Sequence, residues 1–340
     1  MLEVEQIKYK VLEILSDGKF HSGENLGHAL GISRAAVWKQ LQKLESMGLQ
    51  LESVKGRGYR LPDDFELLNE AKIIGYLTPR IQSQLQTLQI HQSLDSTNRV
   101  ATDEIQQRQS DKASATGIII MSEYQSNGRG RRGKNWISPF ASNIYLSIIW
   151  DFYNGASALQ GLSLSIGVAV RRALTELGVD AVSLKWPNDI YVNDKKLGGI
   201  LLEMVGDPAG QCTVIIGIGI NVSMPSESGQ AIDQQWTDIK SCARKPVSRN
   251  QLVALVIENC FKILADYEEE GFANYRDEWQ ASDALKGKQG TLTSAKQSIT
   301  GTVLGVDDMG ALKMQLINGE VAHFIGGELS LRASDDHRSV

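Results

Sequence analysis

Four cations crowd six consecutive residues of this chain: Arg129, Arg131, Arg132 and Lys134, set among Gly128, Gly130 and Gly133. Glycine frees the backbone for sharp turns, while guanidinium and ammonium groups supply charge-assisted donors. Such a loop suits a phosphate or a carboxylate. Two familiar phosphate-binding strings match it in letters only. Gly128-x-Gly130-x-x-Gly133 spells the dinucleotide fingerprint, which needs a helix opening inside it, but Pro139 follows and then a strand-like run over 143–150. Gly128-x4-Gly133-Lys134 approaches a nucleotide-phosphate loop, but Asn135 stands where Ser or Thr would hold magnesium. Alone, the loop would be a solvated basic hairpin between two strands. Its company along the chain argues for more.

Ser96, Thr97 and Asn98 are three small hydrogen-bonding side chains at a strand-to-helix turn, suited to capping or to the polar lining of a pocket. Lys185 lies between Leu184 and Trp186 in a strand and so points away from both. It is either an exposed edge lysine or a cation aimed at an anionic reactant, and Asn188-Asp189 beside it is what a site handling a metal–nucleotide would use. Gly217 and Gly219 thin a strand ahead of Asn221 and would allow its backbone to approach a ligand closely. The loop 224–236 opens with a Pro/Ser/Gly-rich stretch too long and polar for a plain connector. No Ser/His or Cys/His set accompanies these residues, and His91 stands alone.

The elements that must position them follow from periodicity. A strand over 88–91 runs into a helix over 99–108, and strands over 117–121 and 143–150 flank the cationic loop. A helix over 161–177 carries Leu162, Ile166, Val170 and Leu174 on one face. Residues 182–192 read as one strand broken at Pro187 and resumed, and 194–203 as the far arm of a hairpin turning at Asn193-Asp194. Beyond an amphipathic helix over 250–269 and a shorter one holding Tyr275 and Trp279, short strands with an Asn318-Gly319 turn predict a small barrel.

Before all of this, three short helices are predicted in the first 50 residues, with Ser22 and Ser33 as caps and Gly31 and Gly48 as stops. The last begins Ser33-Arg34-Ala-Ala-Val and exposes Arg34, Trp38, Lys39, Gln42 and Lys43; a basic-tipped hairpin with Lys55 and Arg57 follows. That is the form of a winged helix-turn-helix, with a small helical interaction module as the alternative. Residues 1–62 hold nine Lys and Arg against seven Asp and Glu, a net of +2, which leaves −7 for the rest of a chain whose formal charge is −5. A general polyanion binder is thereby excluded, and nucleic-acid contact has to be local. Three widely spaced cysteines argue against a disulfide framework or thiolate metal site and fit a reducing cytoplasm. No leader pattern or membrane-spanning run is read in the sequence.

Ser96-Thr97-Asn98, the Gly128–Gly133 run with Trp136, Lys185-Trp-Pro-Asn-Asp189, Lys196-Leu-Gly-Gly-Ile-Leu-x-Glu203 and Gly217-Ile-Gly-Ile-Asn221 occur in this order. Together, over essentially the whole chain, they resemble the bifunctional biotin–protein ligases and biotin-operon repressors. Lys134 departs from an expected arginine, keeping charge but losing bidentate geometry.

The resemblance implies an α+β chain. It has a winged helix-turn-helix DNA-binding domain over 1–64, a mixed-sheet α/β ligase domain of class II synthetase-like type over 67–272, and an SH3-like β-barrel over 285–334. It implies that Ser96, Thr97 and Asn98 hold the ureido ring of biotin, with Gln125 nearby. Arg129, Gly130 and Arg131 would close over biotin and the bound phosphate. Lys185 would contact the carboxylate and α-phosphate, with Lys134 on phosphate and Asn221 near phosphate or ribose. Trp236 would stack on adenine and Trp136 would wall the pocket. Lys185, Arg131 and Arg129 are the implied catalytic groups.

The implied reaction joins biotin to ATP, giving biotinyl-5′-AMP, and passes biotin to a lysine of the biotin carboxyl carrier protein of acetyl-CoA carboxylase. Mg2+ would accompany ATP, with Asp189 its nearest candidate contact and no protein-built metal site expected. Biotinyl-5′-AMP would act as corepressor of a homodimer on the biotin operator, Ser33 joining the DNA-facing residues, and no membrane partner is expected. The alternatives are a ligand-sensing repressor without enzymatic activity and a lipoate-type ligase.

Overall fold

The computed structural model describes residues 4–62, 65–111, 113–155, 159–294, 298–326 and 329–333. Asp63 and Asp64 of the expected linker, and the outer ends of the expected first and last domains, lie outside the described residues.

The chain opens with α1 (Val4–Leu15), α2 (Gly23–Leu30) and α3 (Arg34–Ser46), then the hairpin β1 (Glu52–Val54) and β2 (Gly58–Arg60). Ser22 and Ser33 accept the amides of Asn25 and Ala36, and Gly31 closes α2 in the left-handed region. A Cβ on Gly27 would lie 2.7 Å from the Ile32 carbonyl, so glycine there lets the turn fold tightly onto α2. Leu12, Leu15, Leu26, Val37, Leu41 and Leu44 form the core. That core is completed by Phe140 and Ala141, which arrive from just past the cationic loop, with the Phe140 ring 5.9 Å from Tyr9.

After α4 (Glu70–Tyr76) and α5 (Pro79–Gln84) come β3 (Thr87–His91), α6 (Thr97–Asp111), β4 (Ile118–Ser122), β5 (Ile144–Phe152) and α7 (Leu162–Glu176). Next are β6 (Val182–Lys185), β7 (Asp189–Val192), β8 (Lys195–Gly206) and β9 (Cys212–Ile220), then the short α8 (Ser226–Gly229) and α9 (Ile239–Cys242). These strands form a seven-stranded sheet in the order β3-β4-β5-β9-β8-β7-β6, parallel only at β3–β4. Strand side chains alternate between faces. Leu146, Ile148, Ile216, Ile218, Leu184 and Ile190 pack into the main core with α7, α10 (Arg249–Glu270) and α11 (Ala273–Ala281). Ile118, Ile120, Ile149 and Ile215 turn to the other face, where they meet Ala101 and Ile105 of α6.

The expected strand broken at Pro187 is instead a hairpin. β6 and β7 pair antiparallel with Lys185 opposite Asp189, and the Trp186–Pro187 peptide is cis. Proline donates no amide to a ladder, so the chain reverses there. The turn at Asn193-Asp194 is present, both residues having positive φ of 50° and 60°.

Strands β10 (Gln289–Thr293), β11 (Ser298–Val306), β12 (Leu312–Leu316), β13 (Val321–Phe324) and β14 (Ser330–Ala333) form a sheet of order β13-β12-β11-β10-β14. The expected SH3-like barrel is corrected here: among the described residues β13 and β14 are its two edges, and the sheet is open. Its apolar face, Leu292, Val303, Val306, Leu312, Met314 and Leu331, joins the main core. A face covered by its neighbour needs no closure upon itself.

A buried ion pair, Arg249 to Glu123 at 2.7 Å, ties α10 to the end of β4. Arg249 also donates to the carbonyls of Glu66 and Asn143, and Glu123 accepts the Leu68 amide. The segment leading out of the N-terminal helices is thereby fastened beside the sheet.

Candidate functional site

On the α6 face of the sheet, beyond the end of that helix, three glycines clear the floor. Gly199 and Gly219 are Cα partners on β8 and β9, and Gly217 lies two residues back. A Cβ on Gly219 would come within 2.5 Å of the Trp136 indole, and one on Gly217 within 2.4 Å of the Asn98 Oδ1. The close approach foreseen at these glycines is real, but the groups that use it are protein side chains. Trp136 and Asn98 then line a cavity of about 1100 Å³.

The 128–136 segment is a small hairpin over this floor. The Trp136 amide donates to the Gly128 carbonyl at 2.8 Å and the Gly130 amide to the Lys134 carbonyl at 2.7 Å. A side chain on Gly128 would strike the Trp136 carbonyl at 2.4 Å, so the strands of the hairpin can close only over glycine. Its tip is a single 3-10 turn, Arg131–Gly133, with Arg132 and Gly133 at φ of 58° and 70°. The hairpin does what the solvated-loop reading would not: Arg129, Gly130, Arg131 and Lys134 all line the cavity.

A neutral hydrogen-bonding group forms part of the wall. The turn holding Ser96 is stitched to the next strand end, with the Ser126 amide on the Leu94 carbonyl and the Asn127 amide on that of Asp95. Thr97 and Asn98 stand in the first turn of α6, which starts earlier than the sequence predicts. Gln125 Oε1 accepts the Thr97 amide at 2.8 Å, and its Nε2 donates to Ser138 Oγ at 3.0 Å. Ser147 Oγ lies 2.8 Å from Thr97 Oγ1 and 2.6 Å from Asn98 Oδ1. Ser96, Thr97, Asn98 and Gln125 are all buried. Held this way, they offer fixed donors and acceptors to a neutral polar ligand.

The cations are buried to different degrees. Lys185, only 9% exposed, donates to the Tyr191 hydroxyl at 3.0 Å and sits 4.8 Å from that ring. Leu184 and Trp186 face the main core, as alternation predicts; Lys185 stands on the edge strand β6 but is buried, so it is not the exposed edge lysine that was the alternative. Arg131 donates to Asn188 Oδ1 at 3.0 Å and to the Leu329 carbonyl at 3.2 Å. Burial depresses its pKa, opposed by the Asp189 charge and reinforced by Arg132. Desolvated cations gather strongly around an anion, because little water competes. Arg129 is more exposed and pairs with Glu203 at 3.3 Å.

Asp189 is bound by Lys196 Nζ at 2.7 Å, and that ammonium lies 5.6 Å from the Trp136 ring. No group of three or more His, Cys, Asp or Glu suited to a metal is found among the described residues. Asp189 stands in the cavity wall. Trp236 reaches the cavity from the far end of its loop, its Nε1 donating to the Gly229 carbonyl at 3.0 Å. Lys196 bridges to this loop through the Gln235 carbonyl and Thr237 amide. Asn221 donates to the Thr237 carbonyl, and its buried Oδ1 has no partner among the described residues.

Every small-molecule site residue expected from sequence thus lines one cavity. Ser147, Tyr191, Lys196 and Glu203 were given no role from sequence, although Lys196 and Glu203 begin and end one of the quoted motifs. Their signal was alternation: Tyr191 shares a face with Lys185 and Asp189, and Glu203 with Gly199. Arg332 of β14 also lines the cavity, with no sequence signal to find it.

Away from this cavity, Ser33, Arg34, Trp38, Lys39, Gln42 and Lys43 are exposed along α3, Trp38 at 52%, and Lys55 and Arg57 are exposed on the wing. Phe20 lies beneath the guanidinium groups of Arg57 and Arg60, at 4.3 and 5.0 Å. This was not foreseen. It makes Phe20 a platform for two wing cations.

Residues 90–221 match the biotin/lipoate A/B protein ligase family, and residues 8–60 match an HTH domain. The chain is 37% identical over 329 residues to the bifunctional ligase/repressor BirA of Escherichia coli (strain K12), covering 97% of this chain and 98% of that one. It is 29% identical to the bifunctional ligase/repressor BirA of Bacillus subtilis (strain 168), covering 92% and 95%. Among solved structures, the biotin protein ligase from Aquifex aeolicus in complex with biotin and ATP is similar with a TM-score of 0.60 at 28% identity, over 74% of this chain and 100% of that one.

Proposed function

This chain belongs to the bifunctional biotin ligase/repressor family, and on that footing we propose that the cavity beneath the 128–136 hairpin activates biotin with ATP while α3 and the wing bind operator DNA. The observation that carries the catalytic half is one cavity lined both by the neutral Ser96–Asn98 and Gln125 group and by Lys185, Arg129 and Arg131. The first set receives the ureido ring of biotin. The second receives two anions, the biotin carboxylate and the α-phosphate of ATP, which repel one another in water.

The carboxylate attacks the α-phosphate, pyrophosphate leaves, and biotinyl-5′-AMP results. The lysine amine of the biotin carboxyl carrier protein then attacks the mixed anhydride and AMP departs. Neither step needs a nucleophile from this chain. Its residues hold the reactants in line and stabilise the charge that builds on phosphate. Lys185 and Arg131 do this from desolvated positions, Lys134 and Asn221 meet the nucleotide, and Trp136 and Trp236 supply aromatic walls, Trp236 against adenine. Magnesium carried by the nucleotide would neutralise phosphate charge, and Asp189 in the cavity wall is the carboxylate that would face it.

The same intermediate serves as corepressor. Closing the hairpin and the 224–236 loop over biotinyl-5′-AMP favours a homodimer, and two winged modules then meet a palindromic operator. Three free cysteines fit a reducing cytoplasm, and no helix among the described residues is long and apolar enough to cross a membrane.

Biotin-dependent ATP–pyrophosphate exchange tests the chemistry. Lys185→Ala and Arg131→Ala are each expected to lose about two decades of rate, roughly 3 kcal/mol of transition-state stabilisation. Near-wild-type exchange in both would remove the assignment. Exchange supported by lipoate instead of biotin would move the chain to the other branch of the ligase family. Sedimentation with and without biotinyl-5′-AMP tests the switch, and equal dimerisation would refute it.

A further inference from the structure

Glu203 is not part of the cavity surface, yet it holds two residues that are. Its Oε2 accepts from Asn98 Nδ2 at 2.6 Å and its Oε1 from Arg129 Nη1 at 3.3 Å. Asn98 is fixed from the other side by Ser147 Oγ, 2.6 Å from Oδ1, and is pressed against Gly217. An amide can be flipped end for end at little steric cost. The carboxylate of Glu203 decides against the flip, since it accepts only from the Nδ2 end. The Arg129 side chain is 38% exposed and that of Glu203 34%. An ion pair that open holds weakly, so an incoming carboxylate or phosphate can take the guanidinium over.

We propose that Glu203 is a positioning residue for biotin recognition: one carboxylate oxygen sets the orientation of the Asn98 amide, and the other parks Arg129 of the cationic hairpin until the anionic ligand replaces it. The inference rests on the biotin reading of the cavity. It adds a division of labour that two substitutions can separate. In Glu203→Gln, a carbonyl remains to accept from Asn98, but the anion facing Arg129 is gone. In Glu203→Ala, both contacts are lost.

The test measures biotin KM and kcat in ATP–pyrophosphate exchange, together with the rate of tryptic cleavage after Arg129, Arg131 and Arg132 in the ligand-free protein. Glu203→Ala is expected to raise the biotin KM about ten- to a hundredfold, with kcat changed much less. Glu203→Gln is expected to recover most of that loss. Both substitutions should speed cleavage of the hairpin severalfold, and saturating biotinyl-5′-AMP should abolish the difference. Asn98→Ala supplies the reference: adding Glu203→Ala to it should raise KM no further.

Equal KM values for the Gln and Ala variants, an additive double substitution, or unchanged cleavage in both would overturn the proposal. Glu203→Gln is isosteric, so a folding failure confined to the Ala variant leaves the cleavage comparison able to refute it. Absence of biotin-dependent exchange in the unsubstituted protein would instead sink the biotin reading itself, and the two failures are thereby told apart.

Discussion

A single methyl group placed at Gly219 should close part of the cavity. The Cβ of Gly219→Ala would lie 2.5 Å from Trp136 Cε2, 2.7 Å from Nε1 and 2.8 Å from Cζ2. Carbon atoms rest at about 3.5–4.0 Å, so the indole must retreat by roughly 1 Å. The ring lies against Gly219 and Gly199 of the sheet and also lines the cavity. The retreat therefore takes space from the ligand. Overpacking of this kind costs about 1–3 kcal/mol, equivalent to a roughly 5- to 150-fold loss in ligand affinity. Gly199→Ala is the matched control. It sits opposite Gly219 beneath the same ring, but its Cβ would meet Trp136 at 3.4 Å, an ordinary contact. Titration calorimetry with biotin and biotinyl-5′-AMP on both variants reads the effect directly, and the change in indole environment should also appear in tryptophan fluorescence. Equal losses in the two variants, or wild-type affinity in Gly219→Ala, would refute the reasoning, because only the 2.5 Å overlap distinguishes them.

Asp283 lies beside β6 with its Oδ2 unpartnered among the described residues, and burial pushes its pKa up to about 6. A carboxyl raised above its unfolded value near 3.9 adds stability that is complete below pH 4 and lost as the pH rises to about 6, roughly 2–3 kcal/mol. Urea midpoints should fall across that window and flatten in Asp283→Asn; parallel curves for the two proteins would contradict this. On the wing, Phe20→Ala should weaken duplex DNA binding a few-fold without changing its salt dependence, since no phosphate-binding charge is removed. Arg57→Ala should lower the salt slope by about one. A Phe20→Ala protein with an altered slope, or with unchanged affinity, would rule out the platform role.

Much of the fold was legible because it is locally encoded. Ser22 and Ser33 cap their helices as their positions predict, and Asn193-Asp194 makes the turn that residues tolerant of positive φ make. Alternation in Val182 to Lys185 correctly turned Lys185 away from Leu184. The break at Pro187 was seen, but whether the chain resumed or reversed depended on a strand pairing that no local rule contains. The C-terminal strands were likewise found, but the closure expected of them does not occur: whether such a sheet must curl upon itself depends on whether another surface covers its apolar face, and here one does.

For the site, residue chemistry named the participants and the sheet chose their partners. The glycine-and-cation run, the small polar triplet and the lone strand lysine each announce an affinity through side-chain type alone. That Gly217 is a seat for Asn98, that Lys196 occupies Asp189, and that Glu203 joins Asn98 to Arg129 across more than 70 residues are results of register between β8, β9 and their neighbours. Charge and backbone freedom belong to a residue wherever it lies. Distance and desolvation belong only to the folded chain, and they turn a set of cations into a place where two anions can meet.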